Sequence, residues 1–330
     1  MKIAFFDSKP YDEVSFRTMN EKFGFEITFY KGHLNKDNVV LSKGTDVVCI
    51  FVNAVVDAHV IDKLVENGVK LIALRCAGYN NVDLKAAENR IKIVRVPAYS
   101  PYAVAEHTLA LMLTLNRKTH KAYSRTREGN FSLNGLLGFD MFGKTAGIIG
   151  TGKIAKILIQ ALRGIGMNVI AYDLYPDFEF ATKYDMQYVT LDELYLKSDI
   201  ISLHCPLNKD TEYIINNDSI AKMKDGVMII NTGRGKLIQT NALIKGLKSK
   251  KIGSAGLDVY EEEGDYFFED RSNIVMDDDV LARLLSFNNV IVTSHQAFFT
   301  KEALANIAET TLQNIQDFMD GKTLVNQVTK

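Results

Sequence analysis

Short apolar runs alternate with longer amphipathic segments along the first hundred residues. Five runs of about six residues are rich in Val, Ile and Phe, namely 2–7, 26–30, 46–52, 70–75 and 92–96. Such runs are typical of parallel strands that are covered on both faces. Between them, the pattern predicts helices over 11–23, 57–67 and 83–89. Asp57 and Asp83 are the predicted N-caps, and Gly24 and Gly68 the predicted terminators. The series predicts an α/β domain.

A second series of the same kind begins near residue 145. Strands are predicted at 145–149, 168–172, 200–203, 227–231, 254–257 and 290–293, and a last helix at 301–319 is expected to return to the first domain. The order of elements predicts two doubly wound parallel-sheet domains of the Rossmann and flavodoxin-like type, with a cleft between them. Their predicted limits are residues 1–100 plus 299–330 for one and 101–298 for the other.

One long helix is predicted between the two series, over residues 102–127. Ser100 is its predicted N-cap and Pro101 its first residue, a position that tolerates the missing N–H of proline. The first half of this helix is apolar nearly all round. We therefore expect it to be buried at an interface between domains or between subunits.

Composition narrows the class of protein. The chain has 330 residues, of which 47% are hydrophobic and 24% charged, so we expect two folded domains and no extensive disorder. Lys plus Arg number 39 and Asp plus Glu number 40, which leaves a net charge of −1. That balance argues against a nucleic-acid-binding protein. No apolar run reaches the roughly 18–20 residues that a membrane-spanning helix needs.

The N-terminus and the cysteines bear on the location of the protein. Charged residues interrupt residues 1–7 before an apolar signal-peptide core begins, so we do not expect secretion. Cys49, Cys76 and Cys205 are odd in number and far apart, which fits neither a disulfide framework nor a metal site. We therefore expect a cytoplasmic protein without a bound metal.

The strongest local signal is the sequence Gly150-Thr151-Gly152-Lys153-Ile154-Ala155, which follows a predicted strand and opens a predicted helix. Gly150 permits a tight turn, Gly152 lets backbone amides approach a pyrophosphate, and the small Ala155 lets helix and strand pack closely. The helix N-terminus offers free N–H groups to phosphates. Together these features predict a dinucleotide site, and the alternative is a glycine turn without a ligand.

An acidic residue is expected about 20 positions further on, at the end of the next strand. Asp173 stands there. Its carboxylate would accept hydrogen bonds from the adenosine ribose hydroxyls and repel a 2′-phosphate. The residues that follow, 174–176, include no Lys or Arg, so we expect NAD to be the cofactor in preference to NADP.

Three further strand ends carry charged or titratable side chains. Arg234 lies in the turn Thr232-Gly233-Arg234-Gly235, three glutamates occupy 261–263, and His295 follows the strand at 290–293. Because open α/β sheets bind ligands at the carboxyl ends of their strands, we expect these groups to converge beside the nicotinamide. Each has an alternative interpretation: a surface salt bridge for Arg234, a solvated turn for the glutamates and a capped loop residue for His295.

The sequence resembles the D-isomer-specific 2-hydroxyacid dehydrogenase family from end to end, and within it the bacterial D-lactate branch. The motifs that carry the resemblance are those at 75–83, 97–101, 105–107, 150–155, 204–207, 231–235, 256–261 and 295–299. The segment 264–270, Gly-Asp-Tyr-Phe-Phe-Glu-Asp, resembles the D-lactate branch in particular. The resemblance implies that residues 101–298 form the NAD-binding domain and that the other domain binds the substrate.

The resemblance also implies catalytic roles. Arg234 would bind the substrate carboxylate and polarise the keto oxygen, for which its planar fork is suited. His295 would protonate that oxygen as hydride arrives from the nicotinamide. Glu263 would hold the other ring nitrogen. We choose Glu263 among the three glutamates because the family motif places the acid three residues after the aromatic at Tyr260.

Further residues are implied at the two ends of the reaction. Backbone amides at Ala77 and Gly78 would hold the substrate carboxylate, and Tyr99 would close the pocket. Phe298 and Phe299 would form an apolar wall, and a core role is an equal alternative for both. The residues expected to contact or border the cofactor, besides the glycine loop and Asp173, are His204, Cys205, Pro206, Thr232, Gly233 and Asp258, the last by accepting from the carboxamide. His107 is interpreted as an ordinary helix residue.

The activity implied is the reversible reduction of pyruvate to D-lactate by NADH. Another D-2-hydroxyacid with a bulkier side chain is the first alternative, and an NAD(H)-sensing protein without turnover is the second. The resemblance further implies a homo-oligomer, at least a dimer built around the helix at 102–127 and possibly a tetramer.

Overall fold

The computed structural model describes residues 1–263 and 266–329. The chain divides into two compact units. The first unit comprises Met1–Ser100 and Phe299–Lys330, and the second comprises Pro101–Phe298. The last helix thus belongs to the same unit as the N-terminus.

The first unit contains a parallel five-stranded sheet in the order β2-β1-β3-β4-β5. Its strands are β1 (Lys2–Phe5), β2 (Glu26–Phe29), β3 (Val47–Ile50), β4 (Leu71–Leu74) and β5 (Lys92–Arg95). Its helices are α1 (Pro10–Asn20), α2 (Ala58–Glu66), α3 (Leu84–Ala87) and α12 (Lys301–Met319), with a short 3-10 helix at Val39–Ser42. Helix α12 packs against α1 and β4. The strand order is that of flavodoxin-like folds.

Side-chain caps account for the helix limits in the first unit. Asp57 accepts a hydrogen bond from the backbone of α2, and Asp83 accepts two from that of α3, so both predicted N-caps are confirmed. Helix α1 ends before the predicted residue 23. The reason is that the Asn20 side chain bonds to both the N–H and the carbonyl of Phe25, which draws the chain into a turn.

The second unit contains a parallel seven-stranded sheet in the order β12-β11-β10-β9-β6-β7-β8. Its strands are β6 (Thr145–Ile149), β7 (Asn168–Tyr172), β8 (Gln187–Tyr188), β9 (Ile200–Leu203), β10 (Val227–Asn231), β11 (Ile252–Leu257) and β12 (Val290–Val292). Its helices are α4 (Pro101–Arg117), α5 (Thr119–Arg127), α6 (Lys153–Gly164), α7 (Phe178–Lys183), α8 (Leu191–Lys197), α9 (Asn217–Lys222), α10 (Thr240–Lys248) and α11 (Asp279–Leu285). The strand order reverses between β6 and β9, which places the switch point beside the glycine loop.

The single helix predicted over 102–127 is wrong. The structure breaks it at Lys118, which adopts a left-handed φ of 50° between α4 and α5. The apolar face of α4 ends near Leu115, and no residue of α5 is buried, so packing does not favour a continuous helix. Asn116 instead bonds to both backbone groups of Phe139, which holds the returning chain against the end of α4.

Within the described residues, no helix is long and apolar enough to cross a membrane. The same residues contain no group of three or more His, Cys, Asp or Glu side chains placed to hold a metal ion.

A buried arginine ties several elements of the first unit together. Arg75 is 2% exposed, and its guanidinium lies 4.6 Å and 4.8 Å from the ring centres of Phe5 and Phe51. It donates to the backbone carbonyls of residues 6–7 and to the Asp12 carboxylate, 3.3 Å away. Two aromatic rings, two backbone carbonyls and one carboxylate thus contact the same cation.

Replacing Arg75 by Leu is expected to lower the free energy of unfolding by about 3–5 kcal/mol, because the buried Asp12 carboxylate loses its compensating charge. Urea denaturation followed by circular dichroism measures the change. Arg17→Leu, which removes an exposed ion pair to Glu13, is the matched control and should cost less than about 1 kcal/mol. Equal stability of the two variants would contradict the assigned role of Arg75.

Candidate active site

The glycine loop has the geometry that a dinucleotide requires. Gly150 follows β6 with a φ of +90°, and a Cβ there would lie 2.5 Å from the backbone nitrogen of Cys205. Gly152 is the N-cap residue of the 12-residue α6, has no side-chain cap, and has open space around the position of a Cβ. The N–H groups of the first helical turn are therefore accessible to phosphates. Ala155 is fully buried, as the close approach of helix and strand needs.

Lys153 and Ile154 lie in that first turn, Lys153 exposed and Ile154 half-buried. These residues fit a bound NAD, with the pyrophosphate at the start of α6.

Asp173 lies just beyond the end of β7 and turns back onto the glycine loop. Its Oδ2 accepts from the backbone N–H of Thr151 at 2.5 Å and from the Thr151 hydroxyl at 2.9 Å, and its Oδ1 accepts from Tyr175 N–H at 2.8 Å. Burial raises the pKa of this carboxyl, but the hydrogen bonds from Tyr175 and Thr151 outweigh burial and lower the pKa below its usual value. Asp173 is therefore charged at neutral pH, as repulsion of a 2′-phosphate requires.

The loop after β9 borders the same edge. The His204 ring Nε2 shares a hydrogen bond with the Ser202 hydroxyl at 2.8 Å. Burial lowers the pKa of His204 to about 4, so the ring is neutral. Burial raises the pKa of the Cys205 thiol to about 11, and the nearby Asp173 charge adds to this effect. Pro206 is exposed. The thiol beside the glycine loop is accordingly protonated and unreactive near neutral pH.

Alkylation of Cys205 by iodoacetamide is expected to accelerate steadily up to about pH 11, because only the thiolate reacts. At pH 8 the rate should be about 240-fold below that of an unperturbed cysteine of pKa about 8.5. Mass spectrometry of the Cys205 peptide across pH 6–11 provides the measurement, with Cys205→Ser as the blank. A rate that reaches its plateau below pH 9 would disagree with this burial.

Arg234 is held in a turn by its neighbours. Asn231 donates from its side chain to the Arg234 carbonyl at 2.9 Å and accepts from Gly233 N–H at 3.0 Å. Within the described residues, the Arg234 guanidinium makes a single hydrogen bond, from Nη1 to the Gly233 carbonyl. A Cβ at Gly235 would lie 1.9 Å from the Tyr260 carbonyl oxygen. Only glycine therefore lets the Arg234 turn approach the segment that follows β11.

Thr232, the first residue of this turn, is buried. Its hydroxyl lies 2.9 Å from that of Thr108 on α4, so α4 supports the end of β10.

The structure brings His295 and Glu263 together. His295 Nδ1 lies 2.8 Å from Glu263 Oε2, and the two side chains are 22% and 24% exposed. A carboxylate only accepts, so Nδ1 carries the proton and Nε2 is left for a substrate. Glu261 instead accepts from the Tyr213 hydroxyl and from Thr240, and Glu262 is exposed. Of the three glutamates, Glu263 is thus the one that orients the imidazole.

A fully buried carboxylate holds the turn on which His295 stands. Asp258 is 0% exposed, and it accepts from the Thr293 hydroxyl at 2.5 Å and from the N–H groups of Gln296 and Ala297 at 2.9 Å each. The His295 N–H bonds to the Asp258 carbonyl, and His295 itself has a left-handed φ of 50°. Asp258 thereby sets the direction of the imidazole. Its bond to the carboxamide stays a prediction.

His107 is a residue that the sequence reasoning missed. It was interpreted as an ordinary helix residue, but its Nε2 lies 3.1 Å from the Thr293 hydroxyl and 3.4 Å from Asp258. The position directly after Ala-Glu on an apolar helix contains no local sign of this contact.

The segment at 264–270 is described only in part. Gly264 and Asp265 lie outside the described residues. Beyond them, the ring centre of Phe268 lies 5.7 Å from that of His295, and Phe268 N–H donates to Ser294. The segment that resembles the D-lactate branch therefore contacts the turn that carries His295, the candidate general acid.

The predicted substrate residues other than Arg234 lie mostly in the first unit. Ala77 and Gly78 are half-buried in the loop after β4, which Arg95 holds by donating to the Ala77 carbonyl at 2.7 Å. The Tyr99 carbonyl accepts from Asn306 of α12.

Two adjacent phenylalanines differ in exposure. Phe299 is 48% exposed, and its ring packs edge-on against Tyr11 at 4.7 Å. Phe298 belongs to the second unit and is 7% exposed, which suits a core position better than an open wall.

Comparison with known proteins identifies the family. The profile of the D-isomer specific 2-hydroxyacid dehydrogenase, NAD binding domain, matches residues 109–297, more than half of the chain. The chain belongs to the D-isomer specific 2-hydroxyacid dehydrogenase family. It is an NAD-dependent oxidoreductase, and the resemblance inferred from its motifs is confirmed.

Members of this family match the chain over nearly its full length. A 2-hydroxyacid dehydrogenase homolog of Haemophilus influenzae is 54% identical over 99% of both chains. The D-lactate dehydrogenase of Escherichia coli is 51% identical over 99% of this chain and 100% of its own, and its apo structure superposes with a TM-score of 0.92 over 100% of both chains. The structure of the pyruvate reductase of Chlamydomonas reinhardtii is 45% identical, covers 99% of this chain and 98% of its own, and gives a TM-score of 0.94.

Proposed function

We propose that this dehydrogenase reduces pyruvate to D-lactate with NADH, and catalyses the reverse reaction as well. The observation that carries the proposal is the His295–Glu263 hydrogen bond in the NAD-binding unit. An imidazole held in a fixed orientation, able to donate a proton from Nε2 when charged, is what reduction of a ketone by hydride needs. The names of the Escherichia coli and Chlamydomonas relatives support pyruvate and D-lactate as the substrate pair.

Bound NADH supplies the hydride, and the protein supplies position and a proton. Arg234 binds the substrate carboxylate through paired N–H groups and polarises the keto oxygen. His295 donates the Nε2 proton to that oxygen while Glu263 holds Nδ1 and stabilises the charged imidazolium. The carbonyl carbon gains one hydride and the oxygen one proton, which gives the hydroxyl of lactate. The reverse reaction needs the same imidazole as a neutral base.

The proposal also includes the substrate residues of the first unit that the family resemblance implies. The backbone amides of Ala77 and Gly78 bind the carboxylate, and Tyr99 covers it. Phe299, which is 48% exposed, is assigned to the apolar wall around the methyl group. Phe298 has a role in packing and not in the wall, because little of its surface is accessible.

The first experiment is to follow NADH absorbance after adding pyruvate and to assay the product with enantiomer-specific enzymes. Rapid oxidation with formation of D-lactate would support the proposal. Slow turnover of pyruvate beside fast turnover of a bulkier 2-keto acid would keep the mechanism and replace the substrate. Tight NADH binding without turnover of any 2-keto acid would favour a sensor.

Removing the His295 imidazole is expected to lower kcat about 10²–10⁴-fold, the usual contribution of general acid catalysis. His295→Asn is the better variant than His295→Ala, because Asn tolerates the left-handed backbone. The dissociation constant for NADH should stay within about threefold, since Asp258 still holds the turn. His59→Asn, at an exposed position on α2, is the control. An unchanged kcat would refute the assigned role.

Arg234→Lys is expected to lower kcat/KM for pyruvate about 10–100-fold, because an ammonium cannot reproduce two parallel hydrogen bonds to a carboxylate. NADH affinity should change little. Steady-state kinetics with both substrates varied separates the two effects. Arg283→Lys, on the exposed side of α11, is the matched control, and equal losses in both variants would speak against substrate binding by Arg234.

We further propose that the protein is a homodimer or a tetramer of such dimers. The segment after α5 exposes four large apolar side chains, which is typical of a subunit interface: Phe131, Leu133, Leu137 and Phe142, each more than three-quarters exposed. Sedimentation should give at least twice the 37.0 kDa chain mass. The double variant Leu133→Asp and Leu137→Asp should shift the species toward monomer, and a monomeric wild type would refute the proposal.

We also propose a cytoplasmic location. Cys49 and Cys205 take part in no disulfide, and Cys49 is fully buried. Free buried thiols are typical of a reducing compartment.

A further inference from the structure

Strand β8 is the shortest strand of the second unit, and its tyrosine reaches the cofactor site. It pairs with β7 through Ala171 and Tyr188. The next residue, Val189, also bonds to the Ala171 carbonyl. Its pairing partner Ala171 is two residues before Asp173, so Tyr188 lies beside the carboxyl end of β7. The sequence reasoning predicted no strand there and no role for this tyrosine.

A chain of hydrogen bonds runs from the backbone N–H of Asp177 to the carboxylate of Asp173. The direction in which each group donates follows from the groups at its two ends. Asp177 N–H donates to the Tyr188 oxygen at 3.0 Å. The Thr151 hydroxyl lies 2.9 Å from both the Tyr188 hydroxyl and Asp173 Oδ2. The carboxylate can only accept, so Thr151 gives its single proton to Asp173, and Tyr188 must give its proton to Thr151. Each hydroxyl in the chain thus has one donor and one acceptor partner.

We propose that Thr151 and Tyr188 are positioning residues that hold the Asp173 carboxylate in one orientation and thereby determine the preference for NAD over NADP. This inference rests on NAD binding at the glycine loop and is independent of which 2-keto acid is reduced. Asp173 is the group that meets the ribose, and the two hydroxyl residues act through it.

The physical reason lies in the two bonds that Thr151 makes to one oxygen. Its N–H and its hydroxyl both donate to Asp173 Oδ2, while Tyr175 N–H donates to Oδ1. Rotation of the carboxylate away from an incoming 2′-phosphate would break these bonds. The carboxylate therefore stays where it repels NADP, and it is pre-oriented to accept the ribose hydroxyls of NAD.

The chain of donors begins on a fixed element. Asp177 caps the N-terminus of α7 by accepting from Phe180 N–H, and it forms an ion pair with Lys156 of α6. The ring of Phe178 packs edge-on against that of Tyr188 at 5.7 Å. The Tyr188 ring is thus held by packing and its hydroxyl by hydrogen bonds. Tyr188→Phe removes the hydrogen bonds of the hydroxyl and keeps the packing of the ring.

The test is the ratio of the dissociation constants for NADPH and NADH, measured at equilibrium from the fluorescence of the reduced nicotinamide without any keto acid. Thr151→Val is expected to lower this ratio about 10–100-fold, because it removes a hydrogen bond to a charged group. Tyr188→Phe should lower it about three- to tenfold, because it removes a bond between neutral groups. Thr151→Ser keeps the hydroxyl, so its ratio should stay within about twofold of that of the wild type.

Two further variants make the result specific. Tyr188→Phe added to Thr151→Val should have no further effect on the ratio, because the chain is already interrupted at Thr151. Tyr184→Phe is the matched control, since this tyrosine lies between α7 and β8 and its hydroxyl makes no hydrogen bond within the described residues; its ratio should equal that of the wild type. Thermal unfolding of each variant is measured alongside.

The inference would be overturned if Tyr188→Phe weakened NADH and NADPH equally, or lowered thermal stability with the ratio unchanged, since either result means a merely structural role. Additive effects of the two substitutions would overturn it as well. So would an unchanged ratio in Asp173→Ala, which would show that this carboxylate does not discriminate. In each case pyruvate reduction by the wild type would still stand as separate evidence for the proposed function.

Discussion

The parallel direction of the strands in the second unit determines where its chemistry lies. Parallel strands end at the same edge of a sheet, so groups that follow β6, β7, β9, β10, β11 and β12 meet there although they are far apart in the chain. The glycine loop, Asp173, Arg234, Glu263 and His295 all occupy such positions. The switch between β6 and β9 adds the space in which a dinucleotide fits.

Close backbone approaches give this edge its detail. Gly150 lies against the loop after β9 and Gly235 against the loop after β11, at distances that no other residue permits. The approach at Gly150 positions the start of α6, where the N–H groups of the first turn are accessible to phosphates. The approach at Gly235 places the Arg234 turn next to the segment that carries Glu263. The glycine loop and the Arg234 turn thus each depend on a position without a side chain.

Three carboxylates at this edge have different roles, because each accepts hydrogen bonds from different donors. Asp258 is fully buried and accepts three hydrogen bonds from the 293–297 turn, so it acts on the backbone that presents His295. Glu263 accepts from the imidazole itself. Asp173 accepts from Thr151 and Tyr175, which hold its charge beside the glycine loop. The same functional group thereby anchors a turn, orients an imidazole and, in our proposal, discriminates between NAD and NADP.

The sequence by itself determined the α/β class, nearly all strands, the limits of α12, the glycine loop and the acid after β7. These features are local, because strand and helix periods, caps and the glycine motif are written within a few consecutive residues. Only the tertiary structure decided that α4 and α5 are separate helices and that His107 and Tyr188 reach the site. His107 and Thr293 are 186 positions apart, and Tyr188 and Thr151 are 37. Contacts of that kind exist only once the sheet has aligned its strand ends, since no local pattern records which distant side chain will complete a hydrogen bond.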